Sequence, residues 1–166
     1  IILPNNKNVV ATANQVQGLT KKTIKIVPTT TVPQGVAALL AFDYEADLNA
    51  NVQLMQKAID TVKTVEVTRA VRSTKINGLK IKKKQPIGLL DGELMAAGSD
   101  FAELVLKMLG KLDLEKAEVF TIYYGHDTEL AEAEGVSNNI RETYPQLQIE
   151  VVAGGQPHYN YIISIE

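Results

Sequence analysis

His126 and His158 are the only imidazoles among the 166 residues, and the chain has no cysteine. Any general-base or imidazole-ligated chemistry must therefore run through two residues far apart in sequence. Asp127 adjoins His126, but an adjacent carboxylate is neither a metal-site spacing nor a triad spacing. A zinc site needs three or four N, S or O ligands, so no bound metal is expected. A Gly-x-x-x-x-Gly-Lys loop and a Gly-x-Gly-x-x-Gly turn are both absent, so no nucleotide or other cofactor is expected. His126 falls where a helix N-terminus favours a neutral ring. His158 lies in the loop Gly154-Gly155-Gln156-Pro157-His158-Tyr159, either as a ligand contact or as a loop hydrogen-bonding group. A second candidate is Thr29-Thr30-Thr31, whose hydroxyls and backbone N–H groups precede a helix and suit a small anion. The same three threonines serve equally well as a helix cap and turn. Thr29, Thr30, Thr31 and His158 are thus the candidate anion or ligand loops.

Basic residues supply the remaining candidates. Alternation along the strand predicted over 65–72 puts Arg69 and Arg72 on opposite faces, so one buried site cannot use both. Lys80, Lys82, Lys83 and Lys84 form a cluster that reads as a partner-binding surface, or as lysines that keep an exposed strand edge from pairing. The cluster is short and has no interleaved aromatics. The whole chain carries a net charge of −2, so no nucleic-acid partner is expected.

These groups have to be positioned by an ordinary globular scaffold. Apolar residues make up 45% and charged residues 22% of the chain, as in folded soluble domains. No apolar run approaches the roughly 20 residues that span a bilayer. Cysteine-free composition favours a cytoplasmic setting. Ile1-Ile2-Leu3-Pro4 reads as the tail of a strand without an initiator Met, so the chain is expected to be a fragment of a longer protein.

Asn5, Asn6 and Asn8 offer turn or cap chemistry. Val9, Val10, Ala13 and Val16 then recur at helical spacing up to Gly18. A short buried strand is predicted over 23–27, then a helix over 36–42 with Pro33 in its first turn. Asp47 caps a helix carrying Val52, Met55, Ile59 and Val62 on one face. This is the order of a parallel β/α layer. From Thr64 the period changes to two. Asn77-Gly78 and Asp91-Gly92 are each flanked by apolar runs and predict two antiparallel hairpins. Asp100 with Glu103 starts a helix. A strand over 118–124, a helix capped by Asp127, a strand over 148–152 and a last strand over 161–165 complete the chain. The fold class is α/β, a parallel β/α part followed by an α+β part. The expected boundary separates 1–63, the remnant of a Rossmann-like β/α subdomain, from 64–166.

Four motifs occur together in order: Leu3-Pro4-Asn5-Asn6-Lys7-Asn8, Val27-Pro28-Thr29-Thr30-Thr31-Val32-Pro33-Gln34-Gly35, Ile87-Gly88-Leu89-Leu90-Asp91-Gly92, and the terminal Gly154-Gly155-Gln156-Pro157-His158-Tyr159-Asn160-Tyr161. Together they make the chain resemble the C-terminal region of YloV-like, dihydroxyacetone-kinase-related proteins. Firmicutes members of that family look like the ATP-binding subunit of fatty acid kinase. The resemblance implies a DegV-like fold and a parent protein with an N-terminal kinase domain. It also implies a partner, a DegV-family fatty-acid-binding protein whose acyl chain the kinase phosphorylates. DegV proteins hold the fatty acid carboxylate with an early Thr-Ser-type loop and a late loop carrying His and Gly-Pro-Gly. Here the early loop would precede residue 1, and the late one reads Gly-Gly-Gln-Pro-His-Tyr.

Three functions compete. The first is a noncatalytic docking module for the acyl-carrying partner. The second is a fatty-acid- or carboxylate-binding domain in its own right. The third is a phosphatase or other hydrolase, for which no nucleophile–base pair or metal cluster is visible.

Overall fold

Side-chain oxygens start most of the helices. In the computed structural model, which describes residues 1–76, 78–115 and 117–166, Asn6 caps α1 (Lys7–Gln15) by accepting from the Asn8 N–H at 2.8 Å. Thr31 caps α2 (Val32–Leu40), accepting from Gln34 N–H at 3.4 Å. Asp47 caps α3 (Leu48–Ile59) by accepting from the N–H groups of Asn49 and Ala50. Asp100 caps α4 (Phe101–Leu109) through the Glu103 N–H at 2.9 Å. Each cap satisfies donors that the first helical turn leaves without a partner.

The chain divides into two units, Ile1–Lys63 and Thr64–Glu166. In the first, α1 runs into a short 3-10 helix, Val16–Leu19, and α2 and α3 pack together. Val27, Ala38, Met55 and Ile59 form its buried core. The strand expected over 23–27 is reduced to one parallel bridge, Ile2 with Ile26. Pro4 and Pro28 each lie two residues past the bridge and carry no N–H, so the ladder stops there. The helix expected over 36–42 begins earlier, at Val32, because Thr31 caps it and Pro33 fits its first turn.

The second unit is built on a six-stranded sheet in the order β5-β4-β1-β8-β6-β7. Its strands are β1 (Lys63–Arg69), β4 (Pro86–Leu90), β5 (Glu93–Ala97), β6 (Val119–Tyr124), β7 (Gln148–Ala153) and β8 (Tyr159–Ile165). β1, β4 and β5 are mutually antiparallel neighbours. β6 pairs antiparallel with β8 and parallel with β7, the latter through the crossover helix α5 (Leu130–Thr143). The fold is therefore mixed α/β with antiparallel hairpins. Asp91-Gly92 forms the β4–β5 turn with φ of 49° and 81°, both in the left-handed region that a two-residue hairpin demands. A separate two-stranded ribbon pairs β2 (Thr74–Ile76) with β3 (Leu79–Ile81). Gly78 has φ 81°, while Asn77 of the expected turn lies outside the described residues.

Alternate residues of β1, β6, β7 and β8 meet Leu104, Val105, Met108 and Leu109 of α4 and Ala133, Val136 and Ile140 of α5 in one buried cluster. At Gly88 a Cβ would stand 1.9 Å from Met108 Sδ, so this glycine lets α4 sit close on the sheet. Two expectations shift. β1 ends at Arg69, so Arg72 lies beyond the strand and the opposite-face argument for the two arginines does not apply. The cap of α5 is Glu129 rather than Asp127. Thr128 N–H closes a turn on the Gly125 carbonyl at 3.1 Å and delays the helix by two residues.

Candidate functional site

In the second unit, a cleft of about 330 Å³ opens where β1 ends and β8 begins. Arg69 is the last residue of β1. Its register with Val65 and Val67 aims it toward the helix-covered face, where its guanidinium carbon stands 4.6 Å over the Phe101 ring. Phe101 opens α4 and meets Tyr161 edge-on at 5.8 Å. Arg69 Nη1 also donates to the Lys84 carbonyl at 3.3 Å. Stacking and this hydrogen bond hold the planar fork in place while leaving other N–H donors free to face a ligand.

His158 faces the same cleft from the loop before β8. Its φ of 72° is unusual for a side chain larger than glycine. Three tethers fix that conformation. The Thr68 hydroxyl donates to the His158 carbonyl. Gln156 Nε2 donates to the Tyr123 carbonyl at 2.9 Å. The Gln156 carbonyl accepts from His126 N–H at 3.1 Å. Asn160, also in the cleft, donates from Nδ2 to Thr128 Oγ1 at 3.2 Å.

Asp127 and Glu132 supply the opposite charge on the far wall. Burial and then the Glu132 charge push the Tyr161 hydroxyl up to about 12. The cleft can therefore place the donors of Arg69 and His158 against carboxylate or phosphate oxygens, and its two carboxylates disfavour a second anion beside them. Among the described residues, no group of three or more His, Asp or Glu side chains is arranged to hold a metal ion.

The other predicted residues lie elsewhere. Thr29, Thr30 and Thr31 belong to the first unit. Thr29 is fully buried; its hydroxyl accepts from Asn5 N–H at 2.9 Å and donates to Asn5 Oδ1 at 2.7 Å. The Thr30 N–H and hydroxyl both donate to Gln34 Oε1, at 2.8 and 2.9 Å. Thr31 is the α2 cap. A Cβ on Gly35 would fall 2.2 Å from Asn5 Oδ1, so this loop is packed closely around its own side chains. Lys80 lies on β3, and Lys82, Lys83 and Lys84 occupy the exposed turn between β3 and β4. Sequence reasoning missed the Arg69–Phe101–Tyr161 stack. The available signal was the alternation that places Arg69 in register with two core valines.

A separate apolar cleft of about 360 Å³ lies within the first unit, with Leu3, Leu39, Phe42 and Met55 in its wall. No helix among the described residues is long and apolar enough to cross a membrane.

Residues 1–166 match the FakA-like C-terminal family, that of the C-terminal region of the A-like subunit of fatty acid kinase. An uncharacterized protein of Staphylococcus aureus strain USA300 is 37% identical over 166 residues, covering all of this chain and 30% of the relative. The corresponding protein of strain MRSA252 matches at the same identity and coverage. The chain thus spans about a third of the length of the curated relatives it matches.

Among solved structures, a DegV family protein from Corynebacterium glutamicum superposes with TM-score 0.63 at 12% identity, over 98% of this chain and 73% of that one. The Streptococcus pneumoniae fatty acid kinase B3 protein loaded with linoleic acid gives TM-score 0.60 at 13% identity, over 96% and 66%. A DegV lipid-binding protein from Thermotoga maritima gives 0.61 at 11%, over 99% and 67%. At these identities the likeness is one of fold: the chain is DegV-like.

Proposed function

Because the chain belongs to the FakA-like C-terminal family, we propose that it is the noncatalytic module that docks a fatty-acid-carrying DegV-family protein onto a fatty acid kinase. The single observation that carries this reading is the family match over residues 1–166. In this reading an ATP-binding kinase domain in the same parent chain phosphorylates the acyl carboxylate. Residues 64–166 are an α+β subdomain, and 1–63 are what this chain holds of a Rossmann-like β/α subdomain. The setting is cytoplasmic. A kinase whose substrate is held by another protein must align that protein with its own nucleotide. Docking converts a bimolecular encounter into a positioned one by raising the effective concentration.

The DegV-like fold supports the reading by analogy, since related folds can pair in a pseudo-symmetric way. The experiment is to immobilise the chain and flow over it a DegV-family protein loaded with a fatty acid, then the same protein stripped of lipid. Saturable binding of the loaded carrier is expected. No complex with either form at low or moderate salt overturns the proposal.

A second reading is favoured by one observation, the convergence of Arg69 and His158 on one cleft. There the chain binds a carboxylate or fatty acid itself. Retention of a fatty acid by the purified chain, lost in Arg69→Gln and His158→Ala, would select this reading over docking alone.

A further inference from the structure

Residues 69–84 contain seven Lys and Arg and no Asp or Glu. The rest of the chain holds ten cations against nineteen carboxylates. The ribbon of β2 and β3 sits at the centre of this basic segment and belongs to neither edge of the main sheet. Its register pairs Ile76 with Leu79 and Lys75 directly with Lys80. Alternation therefore gives it an apolar face, on which Ile81 is buried, and a face carrying Lys75 and Lys80, both exposed. Two ammonium groups facing each other across a strand pair destabilise the ribbon. An exposed pair of this kind is relieved when an anion lies against it.

The neighbouring turn has a fixed backbone. Lys82 N–H donates to Gln85 Oε1 at 2.9 Å, Lys83 N–H to Ser73 Oγ at 3.0 Å, and Lys84 N–H to the Ala70 carbonyl at 2.7 Å. Lys84 holds a φ of 68°. Three consecutive lysines are thus displayed from a braced frame, beside the Lys75–Lys80 pair.

We infer that the β2–β3 arm and the turn after it, with Lys75, Lys80, Lys82, Lys83 and Lys84 as the contact residues, are the face that meets an acidic patch on the partner protein. This inference rests on the docking reading and supplies its surface. The acidic remainder of the chain opposes approach to an extended anionic sheet such as a bilayer, whereas a patch on a protein can match the arm alone. Stacking aromatics are absent from 69–84, which disfavours single-stranded nucleic acid. Charge of this kind acts chiefly on the association rate and fades with salt.

The test uses the whole chain and an acyl-loaded DegV-family carrier, with association rates measured at low and at high salt. Lys75→Glu is the discriminating variant. It places a carboxylate opposite Lys80, so it should leave the thermal midpoint unchanged or raised, yet slow association. Reversal of Lys82, Lys83 and Lys84 together should slow it by about tenfold or more at low salt and flatten the salt dependence. Neutral Gln substitutions at the same three positions should fall between. A wild-type complex whose association rate is unchanged by any of these variants overturns the surface and leaves docking standing. Absence of any wild-type complex overturns both. A parallel sedimentation with phosphatidylglycerol vesicles separates the remaining case: charge-dependent vesicle binding with charge-independent carrier binding assigns the arm to membrane instead and overturns the inference.

Discussion

Glu66 of β1 carries a carboxyl that burial, and then the charge of Asp91, hold above the ordinary value of 4.5. The folded chain therefore binds its proton more tightly than the unfolded chain does. Between the ordinary and the raised value the native state holds more protons, so stability falls as pH rises through that window and the penalty persists above it. Glu66→Gln is expected to be more stable than the parent at about pH 7.5 and indistinguishable from it at about pH 4, read from denaturant midpoints. Thr29 behaves differently. Its hydroxyl both accepts from and donates to Asn5 at full burial. Thr29→Val preserves the shape and leaves the Asn5 N–H without its acceptor, and about 1–3 kcal/mol of stability should be lost in a urea titration. Whether a small anion protects the first unit in the parent chain and not in the variant tests the anion reading of that loop.

At the scale of elements, Gly125 joins β6 to the turn before α5, and a Cβ there would lie 2.1 Å from the Tyr159 carbonyl oxygen and 2.9 Å from that of Gln156. Both obstacles are backbone atoms of the segment that carries His158, so neither can swing aside. Gly125→Ala should cost about 1–3 kcal/mol and disturb the cleft at a distance, visible as a changed His158 imidazole shift in NMR while His126 moves less. The elements that could be read in the sequence are those whose determinants are local. Asp47 and Asp100 cap the helices they precede, Asp91-Gly92 makes its hairpin, and the strand and helix order from β6 to β8 follows apolar period and turn chemistry. Failures occurred where a distant residue decided the outcome. Asp127 loses the cap to Glu129 because Thr128 is drawn into a turn and bonded to Asn160. The bridge of Ile2 with Ile26 stays short because of two prolines at matching positions in separate segments. Of the candidate site, His158 was legible as a polar residue in a glycine-rich loop. Its partner Arg69 was not, because the stack on Phe101 joins residues more than thirty positions apart.

At the scale of the molecule the two units differ in what holds them. Eighteen described residues make up the buried apolar cluster of the second, against four in the first. A smaller core leaves less margin over chain entropy, so local opening should be easier in the first unit. Amide hydrogen exchange at Val27, Ala38 and Met55 is expected to be faster by at least tenfold than at Val65, Phe120 and Ile163. Equal protection in both sets would mean one cooperative structure. The strand order also fixes a sequence of events during synthesis. β8 is the last strand made, yet it lies between β1 and β6 in the sheet. Until it emerges from the ribosome, β5-β4-β1 and β6-β7 are two half-sheets, each with an open edge and no shared partner. The nascent second unit therefore cannot close progressively from its N-terminal end. It waits, with edges that attract other strands, until the segment holding the His158 loop has been translated, so assembly of the cleft and completion of the sheet are one step.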